Sequence, residues 1–286
     1  MNERNMKCMT AVIALLVGVL AAIEADAGTG ISLTAKDGSR VVARTLDWSS
    51  FPVQCGYVVT PRGYIHQSFT PAGKKGLKYK SLYGYVGIYA ESESFVVEGV
   101  NEAGLSVGMF VDPDYSDCAS YNMDLNTVTL CDMQFVSWLL SQFSSIDQIE
   151  DFLEDIRLVP TDAECAACWR ISEPGGRTVI LQFTGGRPQL YDDPSITSFH
   201  IYETGFDTVM QAFRILTASD VTASVSDIPR FTSVTDQTAL KFYYRTAWNC
   251  NIRCIELLSI DFSKVRYQSH PLDALQNQPI EILKVK

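Results

Sequence analysis

Apolar and polar residues alternate in short bursts through the first half of the chain, and the period then changes. Gly30 to Thr34 and Arg40 to Trp48 read as strands on either side of Lys36-Asp37-Gly38-Ser39. That tetrapeptide is a hairpin signal, because Asp and Gly tolerate the backbone a tight turn needs. Cys55 to Thr60 is a third strand, stopped by Pro61-Arg62-Gly63. Gly73 to Lys80, rich in Lys and Gly, reads as a loop. Tyr85 to Ala90, Phe95 to Val100 and Leu105 to Val111 are further strands, with Asn101-Glu102-Ala103-Gly104 as the turn between the last two. Asp112 to Asn126 is polar and irregular.

From Val128 the spacing becomes helical. Val128, Met133, Val136, Leu139 and Leu140 form one stripe in a helix predicted over Val128 to Phe143. Ser144 or Ser145 caps a second helix carrying Ile149, Phe152, Leu153 and Ile156. Strands resume at Cys168 to Ser172, Thr178 to Phe183 and Gln189 to Tyr191, separated by Gly-containing turns. Phe206 to Ala218 is a third helix, with Val209, Phe213 and Leu216 at helical spacing. Phe231 to Asp236, Leu240 to Thr246, Ile252 to Leu258 and Val265 to Tyr267 are the last strands. With no repeat or low-complexity linker, this alternation of strand blocks and helices fits one layered α+β domain.

Composition adds a compartment. Arg4 and Lys7 precede an uncharged run from Met9 to Ile23, and Ala25-Asp26-Ala27 is an A-x-A cleavage signal. The run is shorter than the roughly 20 residues of a membrane span. Residues 1–27 therefore read as a signal peptide, and 28–286 as the secreted or periplasmic domain. A net charge of −10 argues against nucleic acid or an anionic membrane as a partner. Of eight cysteines, Cys8 falls in the signal, so seven remain, an odd number. Cys165-x-x-Cys168 and Cys250-x-x-x-Cys254 have spacings found in metal or redox sites. The strand-like settings of Cys168 and Cys254 instead suggest small buried hydrophobes. No metal and no cofactor are expected.

The segment that opens the domain carries the most specific motif. It holds Thr29-Gly30, an apolar strand, Asp37-Gly38, then Ala43-Arg44-Thr45-Leu46-Asp47-Trp48. This order and spacing resemble the choloylglycine hydrolase family, which includes bile salt hydrolases and penicillin V acylases. Gly99-Val100-Asn101-Glu102-Ala103-Gly104-Leu105, Trp138 to Phe143, Asp147 to Phe152, Thr232 to Asp236 and Tyr243 to Thr246 add supporting matches. The resemblance implies an N-terminal nucleophile hydrolase fold, a four-layer αββα sandwich of two antiparallel sheets between helices. It also implies hydrolysis of a linear amide in a small molecule such as a conjugated bile acid, and leaves a homo-oligomer open. In such enzymes the N-terminal cysteine thiolate attacks the carbonyl, with its own amine as base. Arg44 takes the position of the thiolate's cationic partner and Asp47 that of the group orienting the amine.

Three departures change the expectation. The nucleophile position is Gly28, which has no attacking atom. Thr29 would serve only if cleavage fell one residue later, which flips its side chain to the other strand face. Several dozen residues are missing after about Tyr191, where relatives place an oxyanion-site Asn and a further Arg. Here the chain is expected to pass from Asp192-Asp193-Pro194 straight into the helix at Phe206, leaving a sheet edge open. A position where relatives often carry a polar or aromatic oxyanion-site residue is Val111. The resemblance with these losses implies a weak or inactive hydrolase, or a binding protein for amphipathic acyl ligands on the same scaffold.

Overall fold

A computed structural model describes residues 28–47, 53–111, 117–161, 167–192, 199–204, 207–220 and 229–272. The signal peptide, Trp48, Cys165, Phe206 and part of the Asp112–Asn126 segment lie outside the described residues. Along the chain come β1 (Gly30–Ala35), β2 (Arg40–Leu46), β3 (Cys55–Thr60), β4 (Ile65–Phe69), β5 (Lys75–Lys80), β6 (Tyr85–Ala90), β7 (Val96–Asn101), β8 (Ser106–Val111) and β9 (Thr129–Cys131). Helices α1 (Phe135–Gln142) and α2 (Ile146–Phe152) follow, then β10 (Arg157–Val159), β11 (Ala167–Ser172), β12 (Thr178–Thr184), β13 (Arg187–Tyr191) and β14 (Phe199–Thr204). Helix α3 (Thr208–Asp220), β15 (Phe231–Asp236), β16 (Lys241–Thr246), β17 (Asn249–Glu256) and β18 (Gln268–Pro271) complete the order.

Two sheets carry the fold. One has six strands in the order β14-β1-β2-β15-β16-β17, the other eight in the order β13-β12-β11-β8-β7-β6-β3-β18. Every pairing in them is antiparallel except β1 with β14. Leu46, Val59, Val86, Ile88, Phe231 and Phe242 form the core between the sheets. Ala212, Phe213 and Leu216 of α3 cover Ile31, Leu33, Val41 and Val234 on the six-stranded sheet. Phe135, Leu139 and Ile149 of α1 and α2 cover Val107, Trp169 and Leu181 on the eight-stranded sheet. The layer order is therefore αββα. Seven consecutive residues of α1, Phe135 to Ser141, are buried, as befits a helix apolar on nearly every side.

Local chemistry explains the first hairpin. Asp37 Oδ1 accepts from the Ser39 amide at 2.9 Å and the Ser39 hydroxyl at 2.6 Å. Gly38 takes φ 85, a region open to glycine. Ser145 is the residue that caps α2, accepting from the Gln148 amide.

Four sequence expectations are corrected. The helix expected from Val128 begins only at Phe135, because β9 pairs in parallel with β10 and takes its backbone hydrogen bonds there. Gly73 to Lys80 is no loop: β5 pairs with β4, its Leu77 and Tyr79 turned to the core and its lysines outward. The last strand is Gln268–Pro271, paired with β3, while Val265 closes a turn on the Asp261 carbonyl. Between Tyr191 and Phe206 the chain does not run straight to a helix. β14 lies there and extends the six-stranded sheet beyond β1.

Candidate functional site

The candidate site is the head of β1 and the tail of β2, facing the eight-stranded sheet. Antiparallel pairing sets Gly30 opposite Arg44. Thr29 then meets Thr45: the Thr45 amide donates to the Thr29 carbonyl at 2.9 Å, and the Thr29 amide donates to Thr45 Oγ1 at 3.0 Å. The Thr45 hydroxyl reaches Asp47 Oδ2 at 3.5 Å, a long contact at the limit of a hydrogen bond. Thr45 thus links the backbone beside Gly28 to the Asp47 carboxylate.

Arg44 is wholly buried between the sheets. Its Nε donates to the Thr45 carbonyl at 3.0 Å, and its Nη1 donates to the carbonyls of Val97 and Met109. The guanidinium lies 4.3 Å from the centre of the Phe110 ring, within cation–π range. Burial pulls its pKa down to about 10; Glu98 opposes that shift, Arg170 adds to it, and Asp47 opposes it more weakly. The group stays cationic at neutral pH.

Gly28 is buried with φ +107, where a side chain is strained. A Cβ added there would stand 3.0 Å from Arg44 Nη2 and 2.6 Å from the Thr45 carbonyl oxygen. The second distance is too short for a real contact. The structure therefore brings Arg44 and Gly28 together, with the Thr45 carbonyl standing where a side chain on Gly28 would leave. Val111 ends β8 opposite Ala167.

The sequence reading missed three residues here. Glu98 and Arg170 form an ion pair at 2.6 Å with side chains 1% and 0% exposed. They flank Gly108 across three adjacent strands, since Glu98 and Arg170 both register with it. A Cβ at Gly108 would collide with Glu98 Oε2, so glycine makes room for the pair. Arg170 Nη2 also donates to Ser106 Oγ at 2.9 Å. The available signal was a charge inside each of two apolar strands, Phe-Val-Val-Glu-Gly-Val and Cys-Trp-Arg-Ile-Ser. Thr45, the third, lay inside the motif itself.

Asn101, in the other motif, serves the fold. Its Nδ2 donates to the Leu140 and Phe143 carbonyls at the end of α1, and its Oδ1 accepts from the Ala103 and Leu105 amides. Cys168 lies buried with Phe110 and Ile180, as its strand setting suggested. Cys254 and Cys250 are exposed instead, because β17 is an edge strand whose alternation faces solvent.

Comparison with known proteins agrees with this fold. The family model described as linear amide C-N hydrolases, choloylglycine hydrolase family, matches residues 28–199, and the chain belongs to that family. A bile salt hydrolase/transferase of Bifidobacterium longum subsp. longum is 27% identical over 172 residues, 59% of this chain and 53% of that protein. Another, from Clostridium perfringens, is 23% identical over 171 residues, 58% of this chain and 50% of that protein. The chain thus spans about half the length of the curated relatives it matches. Among solved structures, a variant of conjugated bile acid hydrolase from Clostridium perfringens superposes with a TM-score of 0.70 at 15% identity, covering 90% of this chain and 100% of that one. Penicillin V acylase from Agrobacterium tumefaciens gives 0.67 at 15% identity, covering 84% and 90%. These likenesses establish the N-terminal nucleophile hydrolase fold.

Proposed function

We propose that this protein is a choloylglycine-hydrolase-like protein that recognises amphipathic acyl amides, such as conjugated bile acids, and hydrolyses them weakly or not at all. The observation that carries this is Gly28. The family's chemistry starts from a side-chain nucleophile on the first residue, and here that residue has none and no room for one. A buried cation at Arg44, with Asp47 near the same strand end, supports an inherited pocket: Arg44 in the place of the thiolate's partner, Asp47 in that of the amine's. Removing the attacking group removes covalent catalysis, while binding contacts survive. The protein is proposed to act outside the cytoplasm after cleavage between Ala27 and Gly28, with no cofactor.

The test is an amide-hydrolysis assay on taurine- and glycine-conjugated bile acids, run beside direct binding of the same compounds. Saturable binding without product is the expected result. Rapid release of taurine or glycine would falsify the inactive reading, and absence of both binding and product would remove the substrate class.

A further inference from the structure

Arg44 lies between the two sheets, whereas an apolar groove opens in the outer helical layer, between the turn after β5 and helix α2. Its volume is about 340 Å³. Trp138 of α1 and Phe143 just beyond it form the floor, meeting edge-on with ring centroids 4.9 Å apart. Phe143 in turn lies 6.1 Å from Phe152 of α2. Leu82 on the turn and Phe152 on the helix stand on opposite rims, 62% and 52% exposed. Large apolar side chains left open on both sides of an aromatic floor mark a contact surface rather than scattered exposure.

The charges beside the groove differ in sign from one rim to the other. On the turn side, Lys78 and Lys80 are exposed, and Gln142, which lines the groove, donates to the Lys80 carbonyl at 3.0 Å. On the helix side, Asp155 lines the groove and Asp151 lies one turn before it, both exposed. None of these four forms an ion pair among the described residues. Asp147 and Glu150, turned away from the groove on α2, are already paired with Arg177. The rim amides are engaged within the chain, Gln142 at Lys80 and Gln148 through its Oε1, which accepts from the Ser144 amide at 2.9 Å. The groove therefore lacks the convergent polar groups that orient a small ligand. Rims of one sign would suit a foreign partner of the opposite sign. Opposite signs on opposite rims suit a second copy of the same surface, because a two-fold rotation exchanges the rims.

We propose that two copies of this chain pair about a two-fold axis through the groove, the basic rim of one protomer lying on the acidic rim of its partner. Leu82 and Phe152 are covered across the axis, and the facing charges set the orientation. The chain carries a net charge of −10, so two copies repel unless the contact face is balanced, as this one is. The proposal is independent of any amide hydrolysis at Gly28.

The experiment is sedimentation velocity of the whole protein over roughly 1 to 300 μM, a range that resolves a micromolar dimer. A reversible monomer–dimer equilibrium is expected, weakened when salt is raised to about 0.5 M. Phe152→Ser, at an exposed position, should raise the dissociation constant at least about tenfold, since a two-fold axis counts the loss twice. Two further variants reverse one rim each: Lys78→Glu with Lys80→Glu, and Asp151→Lys with Asp155→Lys. Each alone should weaken self-association at least about fivefold. Mixed in equal amounts, the two should form a heterodimer about as tight as the unaltered dimer, a recovery that damage to folding would not give. A protein that stays monomeric throughout, a dimer unmoved by Phe152→Ser, or rim-reversed variants that fail to pair when mixed would each overturn the proposal.

Discussion

At Gly28 the missing thiol and the backbone cannot be treated separately. The Thr45 carbonyl that an added Cβ would strike is the same oxygen that holds Arg44 Nε. Placing cysteine there must move that carbonyl, and with it the cation the thiolate would need. Gly28→Cys should therefore fold with a loss of about 1–3 kcal/mol, the cost of holding a side chain in a strained backbone region. It should also hydrolyse conjugated bile acids at most faintly. If the oxyanion donor that relatives place at the Val111 position is absent, that alone costs on the order of 100- to 1000-fold. Thermal unfolding and product release check the two halves. Robust hydrolysis would show that the backbone relaxes freely; faint hydrolysis lost in Asp47→Ala would tie it to the inherited site. A second residue-scale prediction concerns pH. His66 has its pKa lowered by burial from 6.5 to about 4, so between those values the unfolded chain binds a proton that the folded protein refuses. The contribution is intact above about pH 6.5 and is lost as pH falls toward 4. It amounts to about 2–3 kcal/mol after allowing for partial exposure. Urea denaturation at pH 7.5 and 4.5 should show the loss, and His66→Phe should reduce it.

Across the elements, the charged groups between the sheets depend on strand register. Glu98 on β7, Gly108 on β8 and Arg170 on β11 line up because the three strands pair without a slip. Breaking such a pair leaves a buried charge, at about 3–5 kcal/mol, whereas replacing both members costs far less. Glu98→Gln and Arg170→Met should each destabilise strongly, and the double variant by at least about 2 kcal/mol less than their sum. An additive double-mutant cycle in denaturant would mean the pair is not coupled. Glu98 is also the largest favourable charge acting on Arg44, so Glu98→Gln reaches the candidate site as well. This level of order was half legible in the sequence. Alternation with a sharp turn, as in β1 and β2, could be read outright, because one buried face and one turn signal determine it. The cap of α2 could be narrowed to Ser144 or Ser145, and the structure selects Ser145. The start of the helix expected from Val128 could not be read, since a three-residue strand owes its existence to β10, nearly thirty residues on. β14 was hidden for the same reason: its partner is β1, far back near the start of the domain. Arg44 and Asp47 could be named as candidates because they share one short motif, whereas Glu98 and Arg170 meet only when β7, β8 and β11 assemble.

For the whole molecule, the N-terminal end of the fold constrains how the protein must be made. Gly28 and Thr29 are buried, and β1 is held on both sides, by β2 and by β14. A chain that begins at Gly28 would carry its new α-amine at this buried glycine, one residue before the Thr29 amide that Thr45 holds beside Asp47. A cationic amine there needs a carboxylate, and Asp47, linked through Thr45, is the candidate among the described residues. The proposal of cleavage between Ala27 and Gly28 then makes a prediction at the scale of the folded protein. Material recovered from the cell envelope should begin at Gly28 by N-terminal sequencing. Asp47→Asn should destabilise that processed form by about 1–3 kcal/mol, by leaving a buried ammonium without its counter-charge. The same substitution in a chain that still carries residues before Gly28, where an amide replaces the amine, should cost measurably less. Equal losses in the two forms would detach Asp47 from the amine, and an envelope protein that retains Met1 would overturn the processing itself.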